Sequence, residues 1–176
     1  MLAWRQSKDD WFRSTNKDNP SPIPEAQRAS FSGLSYYPID QAYHVPAYLT
    51  LESTTPPLVI ELQTSTEERD KYRKVGTLGF TIMGSSYKLT AFAGETEVLT
   101  RLFVPFGDLT NGGDTYKGGR FLELDQTATG LYDLDFNRAY HPFCVFNPSY
   151  ICPVPPRENR LPVAIRAGEK LGSTHH

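Results

Sequence analysis

His141, Cys144 and Cys152 place an imidazole and two thiols within a short segment of one chain. Zinc or another transition metal accepts such a set, with His44 or a carboxylate as a fourth ligand. The segment lacks a Cys-x2-Cys knuckle, and a cysteine also serves as a small core residue. The same residues offer a second chemistry, a Cys144 thiolate activated by His141. A third constellation is cationic and polar. Arg120 shares its alternation with Leu122 and Leu124, so if those leucines face a core, Arg120 points inward as well. A buried guanidinium must be paired and hydrogen-bonded. Glu61, Asp135 and Glu169 are the expected carboxylate partners, and Tyr116, Asn137, Arg138, Tyr140 and Asn159 are available to extend the network. Such a network either recognises a small polar or anionic ligand through its arginines or locks a loop to a scaffold. For a ligand site, Arg120 and Arg138 orient the molecule and Tyr140, His141 or Glu169 carries protons. Asp135 alternates with Leu134 and Phe136, so only a bulge or strand end turns it inward.

Most of these residues lie between Leu134 and Lys170, a stretch rich in proline and in aromatic residues. Pro142, Pro148, Pro153, Pro155 and Pro156 lack backbone donors and exclude a helix or an inner strand. Phe136, Tyr140, Phe143, Val145, Phe146, Tyr150 and Ile151 are too apolar for a solvated linker. The segment therefore reads as an ordered loop packed on a scaffold. Thr110–Arg120 is rich in glycine and holds a lysine and an arginine, but it lacks the phosphate-loop arrangement and no helix follows it.

The scaffold must position these loops. Residues 1–16 read as a helix with Leu2, Trp4, Trp11 and Phe12 on one side, and Pro22 and Pro24 precede a second, short one. From Tyr36 the period becomes two. Tyr43–Glu52 alternates as a half-buried strand, with Pro46 arguing for an edge. Thr54–Pro57 turns the chain, Leu58–Gln63 alternates again, and Thr66–Lys71 reads as a charged loop. Val75–Met83 and Tyr87–Ala93 form a hairpin at Gly84–Ser86. Val98–Phe106, Arg120–Leu124, Leu131–Asp135 and Leu161–Ile165 complete about nine strands. Sequential hairpins predict an all-β fold, an antiparallel barrel or sandwich with an N-terminal helical arm and a small pocket at one end.

A chain of 176 residues fits one domain, here residues 1–170, and Leu171–His176 reads as a vector scar with a partial purification tag. A net charge of −2 offers no electrostatic footprint for nucleic acid. The N-terminal residues lack the apolar run of a signal peptide, and no apolar run reaches membrane-spanning length. The expectation is a cytoplasmic protein that binds neither nucleic acid nor membrane, with Cys144 and Cys152 as thiols.

Together these pieces carry a resemblance. It rests on Trp4-Arg5 with Lys8-Asp9, Phe31–Pro38, Leu102–Phe106, Gly119–Leu122, Asp135–Tyr140, Cys152-Pro153 and Glu158–Lys170. The chain resembles the family catalogued as domain of unknown function 1684, almost end to end. The resemblance supplies no activity. In that family an asparagine usually follows the tyrosine, where this chain has His141, so any chemistry of His141 is particular to this chain. Three functional readings stand: a binding protein or enzyme for a small polar molecule, a metal protein, and a non-catalytic structural or interaction domain.

Overall fold

The alternating segments become strands of one curved antiparallel sheet. The computed structural model describes residues 1–53, 59–64, 69–94 and 101–172. Among the described residues, helix α1 (Leu2–Arg13) and the single turn α2 (Glu25–Arg28) precede nine strands. These are β1 (Ser35–Tyr36), β2 (His44–Leu51), β3 (Val59–Gln63), β4 (Arg69–Ile82), β5 (Ser85–Ala93), β6 (Arg101–Phe106), β7 (Arg120–Asp125), β8 (Tyr132–Asp135) and β9 (Glu169–Lys170). The main sheet runs β7-β6-β5-β4-β2-β8, with β3 added to β4. Isolated bridges between Gln126 and Tyr132 and between Phe121 and Tyr140 bring its two ends together, so the barrel is nearly closed. β1 and β9 form a separate two-residue ladder.

The predicted hairpin is present. Met83 and Gly84, with φ of 49° and 80°, make the two-residue turn between Ile82 and Ser85. Positive φ at both central residues matches the twist of the flanking strands. Leu78, Leu89, Ala91, Leu102, Val104, Leu122, Leu124 and Leu134 alternate inward and fill the barrel.

Three expectations change. Arg69–Lys71, read as loop, belongs to β4, whose first half pairs β3 and whose second half pairs β2. Leu161–Ile165 is not a strand, and Ile165 is buried from a loop. Pro46 is not on an outer edge. Residues His44–Ala47 pair β8 and Tyr48–Leu51 pair β4, so Pro46 meets a ladder on one side only and its missing donor is tolerated. The expected turn at Thr54–Pro57, the start of the expected strand at Val98–Thr100 and most of the expected C-terminal tag lie outside the described residues. Among the described residues no helix is long and apolar enough to cross a membrane.

Helix α1 packs against the proline-rich loop. Phe12 is fully buried, stacked on Phe31 at 5.4 Å and edge-on to Phe146 at 5.1 Å. Trp11 meets Phe143 edge-on at 5.6 Å. The helix and the loop thus share a small aromatic core outside the barrel.

Candidate functional site

Two polar clusters flank the β6–β7 hairpin. The first is sealed. Arg120 points inward with its leucines, as its phase required, and its side chain is 0% exposed. Its partner is Asp108, at 2.9 Å, rather than Glu61, Asp135 or the Glu169 carboxylate. Its Nη1 donates to the main-chain carbonyls of Ala167 and Glu169 at 2.5 and 3.0 Å, its Nη2 to that of Ile165 at 2.7 Å, and its Nε is buried without a hydrogen-bond partner. Asp108 in turn accepts from the N–H groups of Thr110 and Ile165. The guanidinium therefore ties the 161–169 segment to the barrel.

Asn159 does the same for the loop. Its amide donates to the carbonyls of Thr90 and Pro105 and accepts from the Thr90 N–H. Asn137 accepts from the Asp40 N–H and donates to the Asp40 carbonyl, and its own N–H and amide both reach Asp135 Oδ1. Asp135 is buried because β8 ends there, the strand end its inward turn required. These amides substitute for backbone partners that an irregular loop lacks.

Glu169 is 1% exposed and accepts from Lys8 Nζ at 2.6 Å and from the His141 N–H at 2.8 Å. Gly168, at φ 78°, turns the chain into it, and a Cβ there would collide with the Phe136 and Ala139 carbonyls. Lys8 enters from α1 with its ammonium 4.5 Å from the Tyr140 ring centre. Such a cation–π contact adds to the ion pair in docking the helix. His141 is buried; its Nε2 accepts from the Tyr116 N–H and its Nδ1 lies 3.5 Å from Glu169 Oε2.

This arrangement lends the metal expectation no support. The lone pair that His141 would offer a metal faces Tyr116, while the Cys144 N–H donates to Cys152 Sγ at 3.4 Å. Among the described residues no cluster of three or more His, Cys, Asp or Glu is arranged to hold a metal ion. His44 sits on the β2–β8 ladder, hydrogen-bonded to Asp133 at 2.5 Å. Burial, and then the nearby Cys144 and Cys152, raise the Tyr116 phenol above its ordinary range.

The second cluster is open. Arg101 pairs with Glu123 across the hairpin, and both side chains are substantially exposed. Tyr140 donates to Glu123 Oε1 at 3.0 Å. Burial, then Glu123, holds this phenol protonated well above the usual range, so Tyr140 is a donor and Glu123 the acceptor. Two adjoining cavities meet here. One, of about 590 Å³, is walled by Tyr72, Phe103, Phe121, Tyr150, Ile151 and Cys152. The other, of about 430 Å³, is walled by Trp4, Lys8, Trp11, Asp125 and Arg138. Arg101, Glu123, Tyr140 and Phe143 line both. Arg101, Phe103, Phe121 and Glu123 occupy the outward phase of β6 and β7, opposite the core leucines. The groove therefore lies on the outer wall of the barrel, roofed by α1 and the proline-rich loop, and not at a barrel end.

The family model for the protein of unknown function DUF1684 matches residues 29–170. The chain belongs to the DUF1684 family. It is also similar to a solved structure, the solution NMR structure of an uncharacterized protein of Haloarcula marismortui. The identity is 40%, the TM-score is 0.73, and the match covers 97% of this chain and 91% of that one. No curated protein matches. Helix α1 precedes the segment matched by the DUF1684 model, so Lys8, Trp4 and Trp11 come to the groove from outside that segment.

Of the residues singled out from the sequence, Tyr140, Arg138 and Cys152 line the groove of this DUF1684 chain. Arg120, Asp135, Asn137, Asn159, His141, Glu169 and Tyr116 line neither cavity. Sequence reasoning missed Lys8, Arg101, Glu123 and the aromatic walls. One signal was present: Phe103 and Phe121 are large apolar residues on the solvent phase of their strands, alternating with Arg101 and Glu123, which marks a covered outer face.

Proposed function

We propose that this protein binds a small molecule with a flat apolar body and an anionic head. The body lies against Tyr72, Phe103, Phe121 and Tyr150, and the head meets Arg101 where the two cavities join. The observation that carries this reading is that junction, where an exposed arginine, a carboxylate and a protonated phenol converge between aromatic walls. Pockets with mostly apolar walls and a few convergent polar groups are the usual form of a small-molecule site. Three cations, Lys8, Arg101 and Arg138, face the second cavity against two carboxylates, Glu123 and Asp125. Trp11 Nε1, in the same wall, is buried without a hydrogen-bond partner, and an acceptor on the ligand would satisfy it. Should the ligand be converted, Glu123 is the proton acceptor and Tyr140 the donor that this geometry offers.

Trp4 and Trp11 are the two tryptophans of the chain, and both line the groove. Their fluorescence is therefore a reporter of occupancy. Titration with 2-naphthoate should give a saturable change, and Arg101→Ala should weaken it about tenfold, the worth of a charge-assisted hydrogen bond. The neutral analogue 2-naphthylmethanol should bind less well. No saturable response to either probe would overturn the reading, and equal binding of both would remove the anionic head.

A further inference from the structure

The structure leaves the two cysteines outside the groove's polar chemistry but beside its wall. Both are thiols, Cys152 buried and Cys144 half-buried. The Cys144 N–H donates to Cys152 Sγ at 3.4 Å. A thiol of Cys144 hangs from the same Cα as that N–H, so rotation about one side-chain bond moves its sulfur across the neighbourhood of Cys152 Sγ. Both sulfurs also lie near enough to Tyr116 to help raise its phenol. Cys152 reaches the larger cavity, so a small oxidant can approach it although the residue is mostly covered.

We propose that Cys144 and Cys152 are a reversible thiol–disulfide pair, oxidised by a hydroperoxide. The Cys152 thiolate attacks the peroxide, the O–O bond breaks, and Cys152 sulfenic acid forms with release of hydroxide. The Cys144 thiol then attacks that sulfur, its proton passes to the departing hydroxyl, the S–O bond breaks with release of water, and the S–S bond closes. The peroxide gains the two electrons that the sulfurs lose. The bond closes a short loop holding Tyr150 and Ile151, which form the groove wall, and follows directly on Phe143, which lines both cavities. Oxidation therefore fixes one wall of the groove. The disulfide itself does not depend on the binding reading.

The test is intact and peptide-mapped mass of the full chain after treatment with hydrogen peroxide. Loss of two hydrogens, a cross-linked peptide joining Cys144 to Cys152 and full recovery with dithiothreitol are expected. In Cys144→Ser, Cys152 sulfenic acid should accumulate and be trapped by dimedone, at a level absent from the wild type. Oxidation of either cysteine to sulfinic acid without the cross-link, disulfides only between chains, or both thiols still fully alkylatable after peroxide would each overturn the proposal.

Discussion

Two arginines stand at opposite ends of the same hairpin and do opposite things. Arg120, paired in register with Phe106, has no exposed surface and gives its two Nη groups to Asp108 and to three carbonyls of one loop. Arg101, paired with Asp125 at the other end, is 64% exposed and bonds Glu123 in the wall of two cavities. The difference lies in where the partners come from. Main-chain carbonyls cannot be exchanged for a ligand without unfolding the segment that carries them, so Arg120 is part of the fold. A half-exposed carboxylate partner can yield to a competing anion at little cost, so Arg101 is free to recognise one.

Replacing Arg120 tests the sealed end most severely. Arg120→Met leaves Asp108 charged and buried and strands three carbonyls, so a loss of about 3–5 kcal/mol is expected from denaturant unfolding. A change under about 1 kcal/mol would erase the contrast with Arg101. Lys8→Met comes next. It keeps the apolar stem but removes the ammonium from Glu169, which then retains the His141 N–H as its partner. About 2–3 kcal/mol should be lost. Because Trp4 and Trp11 sit on α1, their emission should shift to the red if the helix lifts away.

Arg101→Ala is the counterpart and should change stability by no more than about 0.5 kcal/mol, as expected of an exposed pair. The same variant should nonetheless lose most of the naphthoate response. Stability and binding thus move in opposite proportion at the two ends, and a large loss of stability on removing Arg101 would show that its pair with Glu123 is structural too.

The sequence made one half of this contrast readable. Period-two alternation placed Arg120 inward with Leu122 and Leu124, and it placed the barrel core with them. It could not choose Asp108 over Glu61, Asp135 or Glu169, because a carboxylate's position depends on how Gly107–Gly119 folds back on itself. Arg69–Lys71 read as loop because charge dominates local pattern, while pairing to β3 decides the backbone. Leu161–Ile165 looked like a strand, yet its apolar residues fill the barrel from a loop whose backbone is held by Arg120 and Asp108. The groove was least legible, since its walls come from α1, the outer face of β6–β7 and the proline-rich loop. No local period joins those three.

The smallest effect concerns pH and belongs to a further tie between the N-terminal part and the barrel. Burial, and then a hydrogen bond of 3.0 Å to Asp114, push the Tyr37 phenol up to about 12. In the unfolded chain a tyrosine ionises near 10. A raised folded value means that folding favours the protonated phenol, so its contribution is complete below about pH 10 and is lost as pH rises through about 12. Tyr36 and Tyr140 are shifted in the same direction, chiefly by burial, so the wild type should weaken steeply across that window. Tyr37→Phe should be less stable than the wild type at neutral pH and should close the gap as the wild type ionises. Denaturation midpoints of both proteins at pH values from about 8 to 12 measure this directly. Parallel curves would mean that Tyr37 is solvated, and that the Asp114 contact does not hold the β1 segment to the glycine-rich loop beside Arg120.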